Sequence, residues 1–306
     1  MVDRRNFIFG IGASVLLSGC AGARASQFNP IGRLREVERA AGGRLGAFVL
    51  DTASGRSFGW RADERFCHCS TFKLSLVAMA LREADAGRLD LAETLAFSKA
   101  DIVDHSPVVE ENLAKGRLPI LALAEAIQII SDNAAANLLT RRLGGPDAVT
   151  RFWREIGDAT SRLDDYEPAV NVIPPGTEKN STTPRAMAET VRRIVLGDVL
   201  SSASRDRLCG WMGATESGLD RIRAGIPADW RGLDKTGTGM RPEIGNKTND
   251  LAVLVPPGDR PPLVVVGYFE SPTFSENTRP QDEAVLKTLG EIAVAWEHEG
   301  ASLSPR

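Results

Sequence analysis

The order of strand-like and helix-like patterns is the feature that most constrains the fold of this 306-residue chain. Two strand-like runs, residues 44–51 and 56–60, are joined by a turn and precede a long block of helical periodicity. The block extends from Ser70 to about residue 212, after which strand patterns return and an amphipathic helix closes the chain. We therefore expect the two ends to share one sheet, with the helical block inserted between them, in an α+β fold.

The remaining predicted elements have ordinary lengths. The expected helices cover residues 31–41, 71–86, 120–130, 133–143, 146–156, 184–196, 201–212 and 281–297, and the expected late strands cover 232–235, 250–255 and 263–268. Between two of these helices lies a long stretch rich in Pro, Asp and Asn, residues 157–183. A loop that long inside a compact protein is usually functional.

The N-terminus is predicted to be an export signal over residues 1–20. An arginine pair opens it, residues 7–17 form an apolar run too short for an ordinary spanning helix, and small residues surround Cys20. The arginine pair resembles a twin-arginine signal, and the end resembles a lipobox, in which the cysteine becomes lipidated. A plain signal peptide with an incidental cysteine is the alternative. We expect an exported, periplasmic protein, with a lipid anchor through Cys20 as a further prediction and residues 21–30 as a tether.

Charge and cysteine content narrow the partners. The formal net charge of −3 gives no electrostatic footprint for nucleic acid. Beyond the signal, Cys67 and Cys69 are too close in sequence to pair without strain. One of them could pair with Cys209 in an exported protein, and three free thiols are an equally serious alternative. His68 between the two cysteines suggests a metal site, but three consecutive ligands cannot all point at one ion, so we predict none.

Ser70 and Lys73 stand where a polar turn meets an apolar helical run. Positions three apart lie on one helix face, with Cβ atoms about 5–6 Å apart. A serine hydroxyl needs a neighbouring base to act as a nucleophile, and burial lowers the pKa of an amine. The pair therefore suggests a nucleophile and its base. An S-x-x-K pattern arises by chance about once in a chain of this size, so an ordinary first helix turn is the alternative.

Ser131 and Asn133 flank an aspartate where another helix is predicted to begin. The Ser131 hydroxyl could relay a proton to a leaving group, and the Asn133 amide could hold a substrate carbonyl or amide. Because Ser, Asp and Asn are also favoured N-cap residues, a capping motif is the alternative.

A glycine-rich sequence is predicted to end the first late strand. Lys235 and Thr236 make a natural site for a carboxylate, and Gly237 lets the backbone pass close to a ligand. The N–H of Thr238 could join that of Ser70 in an oxyanion hole. A strand that runs into a turn is the alternative.

The long loop contains Glu167, followed by Pro168 and Asn171. Proline restricts the residue before it, so the acid is held in a non-helical path. Glu167 could bind and activate a water, with Asn171 as a second anchor for that water. A solvated loop acid is the alternative.

Together these stretches resemble the motif set of class A serine β-lactamases. In this chain they read Ser70-Thr71-Phe72-Lys73, Ser131-Asp132-Asn133, Glu167-Pro168-Ala169-Val170-Asn171 and Lys235-Thr236-Gly237. The resemblance implies a β-lactamase/transpeptidase-like fold over residues 31–300, in which an antiparallel sheet flanked by helices carries an inserted all-helical domain, with the active site between them. The α/β part would be residues 31–68 and 213–300, and the helical part residues 69–212.

The resemblance also implies a role for each residue. It implies that the reaction needs no metal or organic cofactor. Ser70 would attack the β-lactam carbonyl, and Lys73 would help to shuttle its proton. Ser131 and Lys235 would pass a proton to the lactam nitrogen, and Glu167 would activate the water that hydrolyses the acyl-enzyme. The partners would be small-molecule β-lactams, bound by a monomer. The substrate-binding residues would be Asn133, Asn171, Lys235, Thr236, Gly237, Thr238, Arg221 and His105.

Two of these assignments depend on position alone. His105 sits where the family usually has an aromatic gate residue. Arg221 occupies a segment from which some members bring an arginine to the drug carboxylate, and a surface arginine is the alternative.

The chain also departs from the family pattern. The positions that often close the long loop with an Arg–Asp ion pair are Asp165 and Asn180, so we expect a looser loop or one held by a hydrogen bond. A looser loop would admit bulky oxyimino side chains. The cysteine that pairs with the equivalent of Cys69 in some carbapenem-hydrolysing members is replaced by Gly239, so that bridge is absent.

Three other protein classes share parts of this pattern. A penicillin-binding peptidase and a β-lactam sensor use the same serine and lysine but lack a deacylating acid in the long loop. A glutaminase shares the nucleophile motif, but the Ser131 and Glu167 motifs argue against it. Glu167 is therefore the residue that separates a β-lactam hydrolase from these relatives.

Overall fold

A computed structural model describes residues 28–173 and 176–303 of the chain, with side chains as far as residue 299. The predicted signal with Cys20 and most of the predicted tether lie outside the described residues. None of the described helices is long and apolar enough to cross a membrane. The helices are α1 (Pro30–Ala41), α2 (Phe72–Asp85), α3 (Pro107–Glu111), α4 (Ile120–Ile129), α5 (Asn133–Arg142), α6 (Pro146–Glu155), α7 (Pro184–Leu196), α8 (Ser202–Gly213) and α9 (Pro280–Leu303).

The strands come from both ends of the chain and build one main sheet. Its order is β2-β1-β9-β8-β7, and every neighbouring pair is antiparallel. The predicted α+β fold, with a sheet shared by the two ends, is therefore confirmed. The strands are β1 (Arg44–Asp51), β2 (Ser57–Trp60), β3 (Phe66–Cys67), β4 (Thr94–Ala96), β5 (Arg117–Pro119), β6 (Ser181–Thr182), β7 (Arg231–Arg241), β8 (Gly245–Val255) and β9 (Leu263–Ser271).

Both faces of the main sheet are covered. Successive side chains of a strand point to opposite faces, so Val265 in β9 packs towards α1 and α9, with Leu289 among its neighbours in that core. Val264 and Val266 point the other way, into the core shared with the helical part. Burial on both faces explains why the central strands read as almost continuous apolar runs.

Helix α2 lies at the centre of the helical part. Its side chains from Phe72 to Leu81 are all buried. A helix that is apolar on every side must be surrounded by other elements. The turn that precedes it, a 3-10 turn over Cys69–Thr71, therefore lies between the helical part and the sheet.

Strand β7 is longer than predicted. The expected strand covered residues 232–235, with the glycine-rich sequence at its end, but β7 pairs with β8 over its whole length. Gly237 is opposite Asn249 and Gly239 is opposite Lys247, so the motif lies in the middle of an edge strand. The pairing with β8 overrides the weak strand preference of glycine.

Candidate active site

Ser70 is held on a rigid turn between the two parts of the fold. The side chain of Thr71 donates a hydrogen bond to the carbonyl of His68 at 2.8 Å. The amide of Asn249 on β8 donates to the same carbonyl at 3.2 Å, so the turn is fixed to the sheet. Cys69 has a φ of +45°, a conformation that L-residues seldom adopt, and its neighbour Ser70 is half-buried.

Lys73 is the centre of the site. Its ammonium is fully buried, 3.0 Å from the Ser70 hydroxyl and 3.1 Å from a carboxylate oxygen of Glu167. It also donates to the carbonyl of Ser131 at 2.8 Å and to the side-chain oxygen of Asn133. Burial lowers the pKa of Lys73, and the negative charge of Glu167 opposes that shift. The structure thus brings all four predicted catalytic residues to one ammonium group.

The start of α5 combines the helix cap considered for it with two residues that contact Lys73. Asp132 caps the helix by accepting a hydrogen bond from the Ala135 N–H at 2.8 Å. Its second oxygen accepts from the Val108 N–H at 2.9 Å, at the start of α3. Capping by Asp132 leaves the residues on either side, Ser131 and Asn133, to face Lys73.

His105 lies on the exposed side of Asn133. One of its ring nitrogens is 2.8 Å from the carbonyl of Ile130. The backbone carbonyl of His105 accepts a hydrogen bond from the Asn133 N–H at 2.9 Å. The side-chain nitrogen of Asn133 donates to the carbonyl of Asp104 at 2.7 Å. A primary amide has two N–H donors, so one remains for a ligand. The segment that carries His105 therefore positions Asn133.

Glu167 is not a solvated loop acid, because its side chain is completely buried. One carboxylate oxygen accepts a hydrogen bond from Ser70 at 3.3 Å, and the other accepts from the amide of Asn171 at 2.8 Å. The backbone of Glu167 is held by Asn137, whose side chain accepts from its N–H and donates to its carbonyl, both at 2.9 Å. Asn137 was missed from the sequence, although it lies four positions after Asn133 on the same face of α5.

Hydrogen bonds close the neck of the long loop where the family often has an ion pair. The side chain of Asn180 accepts from the backbone N–H groups of Asp164 and Asp165, at 2.8 and 3.1 Å. Its nitrogen donates to the Asp165 carboxylate at 2.8 Å. The loop then pairs with the segment before the nucleophile, since Ser181 in β6 is opposite Cys67 in β3. Of the two expectations for this departure, a loop held by hydrogen bonds is the one observed.

The edge strand β7 supplies the positive end of the site. Lys235 is fully buried and its ammonium donates to the carbonyl of Thr236 at 3.1 Å. Burial lowers the pKa of Lys235 to about 7, and repulsion from Lys73 adds to that shift. The hydroxyls of Thr236 and Ser217 are 2.6 Å apart. Ser217, missed from the sequence, therefore extends the polar face of the strand.

Arg221 is not a surface arginine. Its side chain is only 2% exposed and lies against β7 and β8. It donates to the carbonyls of Gly237 and Asn249, at 3.1 and 2.8 Å, and to the hydroxyl of Thr238, at 2.8 Å. Glu283 on α9 accepts from it at 3.4 Å. The guanidinium thus adds positive charge next to Thr238 and fixes the position of that hydroxyl.

The glycines of β7 let the strand lie against the nucleophile turn, the 3-10 segment Cys69–Thr71 that carries Ser70. A Cβ at Gly237 would come within 2.8 Å of the His68 carbonyl, which is closer than real Cβ atoms approach. A Cβ at Gly239 would lie 3.0 Å from the sulfur of Cys69. The backbone of β7 therefore lies directly against the turn that carries Ser70.

The three cysteines of the described residues are all free thiols, so the predicted alternative of a bridge to Cys209 is wrong. The ring of His68 stacks on Trp153 with 5.0 Å between centroids, while the sulfurs of Cys67 and Cys69 contact each other. Within the part of the chain that the structure describes, no group of three His, Cys, Asp or Glu residues is placed to hold a metal ion.

The chain is similar to proteins of known activity over most of its length. Residues 30–297 match the model of the Beta-lactamase enzyme family. A β-lactamase of Streptomyces lavendulae is 44% identical over 260 residues, which are 83% of each chain. Beta-lactamase AST-1 of Nocardia asteroides is 42% identical, over 86% of this chain and 82% of its own. The solved structure of an ancestral (GNCA) class A β-lactamase is 46% identical and covers 88% of this chain and all of its own, with a TM-score of 0.82.

Proposed function

The chain belongs to the Beta-lactamase enzyme family, and from this premise we propose how its residues carry out the reaction. It is a class A serine β-lactamase, which hydrolyses the ring of β-lactam antibiotics and confers resistance to them. The observation that carries the mechanism is the position of the buried Lys73 ammonium, 3.0 Å from the Ser70 hydroxyl and 3.1 Å from Glu167.

Acylation begins with attack of the Ser70 oxygen on the lactam carbonyl. Two bases are within reach of the hydroxyl proton, since Lys73 is 3.0 Å and Glu167 is 3.3 Å from that oxygen. A lowered amine pKa favours Lys73, in its neutral amine form, as the acceptor of this proton, which leaves Glu167 ionised for the later hydrolysis. The N–H groups of Ser70 and Thr238 stabilise the negative charge that develops on the carbonyl oxygen.

Ring opening requires a proton on the lactam nitrogen. The Ser131 hydroxyl, 3.3 Å from the Lys73 ammonium, is placed to receive a proton from Lys73 and pass it on. Lys235 assists as the second nearby amine, whose pKa of about 7 lets it exchange a proton near neutral pH.

Substrate binding uses the two edges of the site. Asn133 offers its remaining amide donor and its oxygen to the side-chain amide of the drug, with His105 at the entrance. On the opposite edge, Lys235 and the Thr236 hydroxyl receive the drug carboxylate, next to Gly237. Arg221 adds charge and holds Thr238, in keeping with its 2.8 Å hydrogen bond to that hydroxyl.

Deacylation depends on Glu167. Its carboxylate orients and deprotonates a water that attacks the acyl ester on Ser70, and Asn171 holds that water from the other side. The 2.8 Å hydrogen bond from Asn171 to Glu167 supports this role, because it fixes the carboxylate at the nucleophile. Peptidases and sensors with the same serine and lysine have no such acid, so Glu167 supports hydrolysis over trapping.

The organisation of the whole chain is also a proposal. We assign residues 31–68 and 213–300 to an α/β part and residues 69–212 to a helical part, which is supported by strands drawn from both ends of the chain. We propose that the protein is exported to the periplasm as a monomer, with a lipid anchor at Cys20. Release of the mature protein from membranes by a Cys20→Ala variant would test that anchor.

The mechanism is tested with a chromogenic cephalosporin over many turnovers. The intact protein should show a steady rate, and Ser70→Ala should lose nearly all of it while keeping its fold, as measured by circular dichroism. A matched Ser201→Ala variant, which changes a helix cap far from the site, should keep the rate. A single burst without turnover in the wild type would show that Glu167 does not deacylate, and undiminished turnover by Ser70→Ala would rule out Ser70 as the nucleophile.

A further inference from the structure

Two buried thiols face each other beside the nucleophile and take no part in the reaction proposed above. The sulfurs of Cys67 and Cys69 are 3.7 Å apart, and the Cys69 thiol points at the Cys67 sulfur as a donor. Both side chains are almost fully buried, at 2% and 0% exposure. Cys67 ends β3 and Cys69 begins the 3-10 segment with a positive φ, and this turn brings the two sulfurs together.

Cys67 also borders a cavity whose lining contains none of the proposed catalytic residues. The cavity has a volume of about 290 Å³, and Arg65, Lys247 and Ser181 are among the residues that line it. Lys247 is 6% exposed, and Arg44 also lines the cavity, together with one carboxylate, Glu270, which pairs with Arg44 at 2.8 Å. A small polar oxidant can therefore reach Cys67 through a positively charged cavity, while Cys69 lies behind it.

The electrostatics distinguish the two thiols. The hydrogen bond from Cys69 lowers the pKa of Cys67, and the charge of Lys247 lowers it further, against the effect of burial. The pKa of Cys69 is raised, because its proton is engaged by Cys67 and because it is buried. Thiolate character decides which sulfur reacts first with an oxidant, so Cys67 is the attacking thiol and Cys69 the resolving thiol.

We propose that Cys67 and Cys69 form a redox-sensitive dithiol, which hydrogen peroxide converts into a disulfide one residue before the nucleophile. The Cys67 thiolate attacks one peroxide oxygen, the O–O bond breaks, and hydroxide leaves, which gives a sulfenic acid. The Cys69 thiol then attacks that sulfur, an S–S bond forms, and the sulfenic oxygen leaves as water. The two sulfurs lose two electrons in total and one peroxide becomes two waters.

Formation of this disulfide displaces the nucleophile turn. An S–S bond is about 2.05 Å long, so the sulfurs must approach each other by more than 1 Å. Cys69 precedes Ser70 directly, and its sulfur packs against Gly239 of β7. A shift of about 1 Å in a catalytic group can cost about a hundredfold in rate. This consequence rests on the proposed role of Ser70, whereas formation of the disulfide does not. A bridge across one residue is strained, and strained disulfides are readily reduced, so the modification is reversible.

The test uses a convenient pair of protease sites. Trypsin cleaves after Arg65 and Lys73, so both cysteines fall in one peptide, residues 66–73. The whole protein is treated with hydrogen peroxide, denatured with a thiol-blocking reagent and digested without reductant. We expect the peptide to lose two hydrogen atoms and to escape blocking, while the Cys209 peptide stays blocked, because burial raises the pKa of Cys209. Recovery of an unmodified peptide, or only of its sulfinic or sulfonic forms, would overturn the proposal.

Activity is measured on the same samples. We expect kcat to fall at least about tenfold in parallel with disulfide formation and to recover with dithiothreitol, which reduces disulfides but not methionine sulfoxide. Cys67→Ser and Cys67→Ala should resist the loss, and Cys209→Ser should behave as the wild type. A complete disulfide with unchanged kcat would overturn the link to the nucleophile turn. Loss of activity in Cys67→Ala equal to that of the wild type would overturn it as well.

Discussion

The Lys73 ammonium lies 3.1 Å from a Glu167 carboxylate oxygen, and neither side chain is exposed to solvent. Removal of one partner from a buried pair leaves an uncompensated charge, which typically costs about 3–5 kcal/mol. Both groups also contact the Ser70 hydroxyl, so the buried pair that stabilises the site contains the two groups proposed to act on Ser70 and its acyl ester. For a variant at either position, the free energy of unfolding must therefore be measured as well as the rate of catalysis.

Glu167→Gln should acylate and then stall. The amide keeps the size of the side chain and can still bond to Asn171, but it cannot deprotonate a water. Loss of a general base lowers the rate of the step it assists by about 10²–10⁴-fold. We expect a burst of one equivalent, followed by a slow steady rate, and mass spectrometry should find the adduct on residues 66–73. The exposed loop carboxylate Glu178 offers a matched control, since Glu178→Gln should turn over normally. If Glu167→Gln deacylated at the wild-type rate, Glu167 would not be the general base of deacylation.

Lys235 should give the pH profile an alkaline limb. Its pKa is lowered to about 7, so the ammonium is charged below that pH and becomes neutral above it. The charged form attracts the drug carboxylate, and kcat/KM reports the free enzyme. We therefore expect kcat/KM for an anionic penicillin to fall as the pH rises through about 7.

Lys235→Arg is the control for this titration. Arginine stays charged at every pH in the assay, so the alkaline limb should move to higher pH even if the maximal rate is lower. An identical limb in the wild type and in Lys235→Arg would assign the titration to another group.

Arg221→Ala should weaken substrate binding more than turnover. The variant removes a positive charge and releases the Thr238 hydroxyl, which the arginine holds at 2.8 Å. A charged hydrogen bond contributes about 1.5–3 kcal/mol, so we expect KM to rise by at least about tenfold with a smaller fall in kcat. Arg185→Ala, which breaks an exposed pair with Asp63, should leave both constants unchanged. A fall in kcat alone would show that Arg221 acts only by supporting the strand.

The sequence predicted most of the helices and strands because their apolar periodicity reflects burial on one face or on both. It did not predict the full length of β7, since Gly237 and Gly239 have no strand preference of their own and depend on pairing with β8. In the site, residues within one motif were recognisable. Asn137 and Asn249 were not, because their roles come from contacts with Glu167 and with the His68 carbonyl, which only the fold brings near.

The neck of the long loop should control access for bulky substrates. Three hydrogen bonds of the Asn180 side chain replace the Arg–Asp ion pair that is frequent in the family. A double variant, Asp165→Arg with Asn180→Asp, would restore that ion pair. A neck closed by hydrogen bonds should open more readily than one closed by an ion pair, so we expect the wild type to hydrolyse a bulky oxyimino cephalosporin several-fold faster than the double variant. Both proteins should hydrolyse a small penicillin at similar rates, and equal turnover of the bulky substrate would contradict the expectation.

Gly239→Cys should form the disulfide that this chain lacks. A Cβ at position 239 would lie 3.0 Å from the sulfur of Cys69, which is about the distance between a Cβ and the far sulfur of a disulfide with an S–S bond near 2.05 Å. Without reductant, trypsin should release residues 66–73 joined to residues 236–247. Such a link between distant positions should raise the free energy of unfolding by up to about 4 kcal/mol, and reductant should abolish the gain.

Gly237→Cys provides the contrast, because its Cβ would lie 2.8 Å from the His68 carbonyl and should destabilise the protein instead.

The bridge in Gly239→Cys would also occupy Cys69 and leave Cys67 without a resolving thiol. Peroxide should then fail to produce the disulfide within residues 66–73 and should carry Cys67 on to sulfinic acid. If two separate, unlinked peptides were recovered from Gly239→Cys after mild oxidation, the Cys69 sulfur would not face β7 as the structure places it.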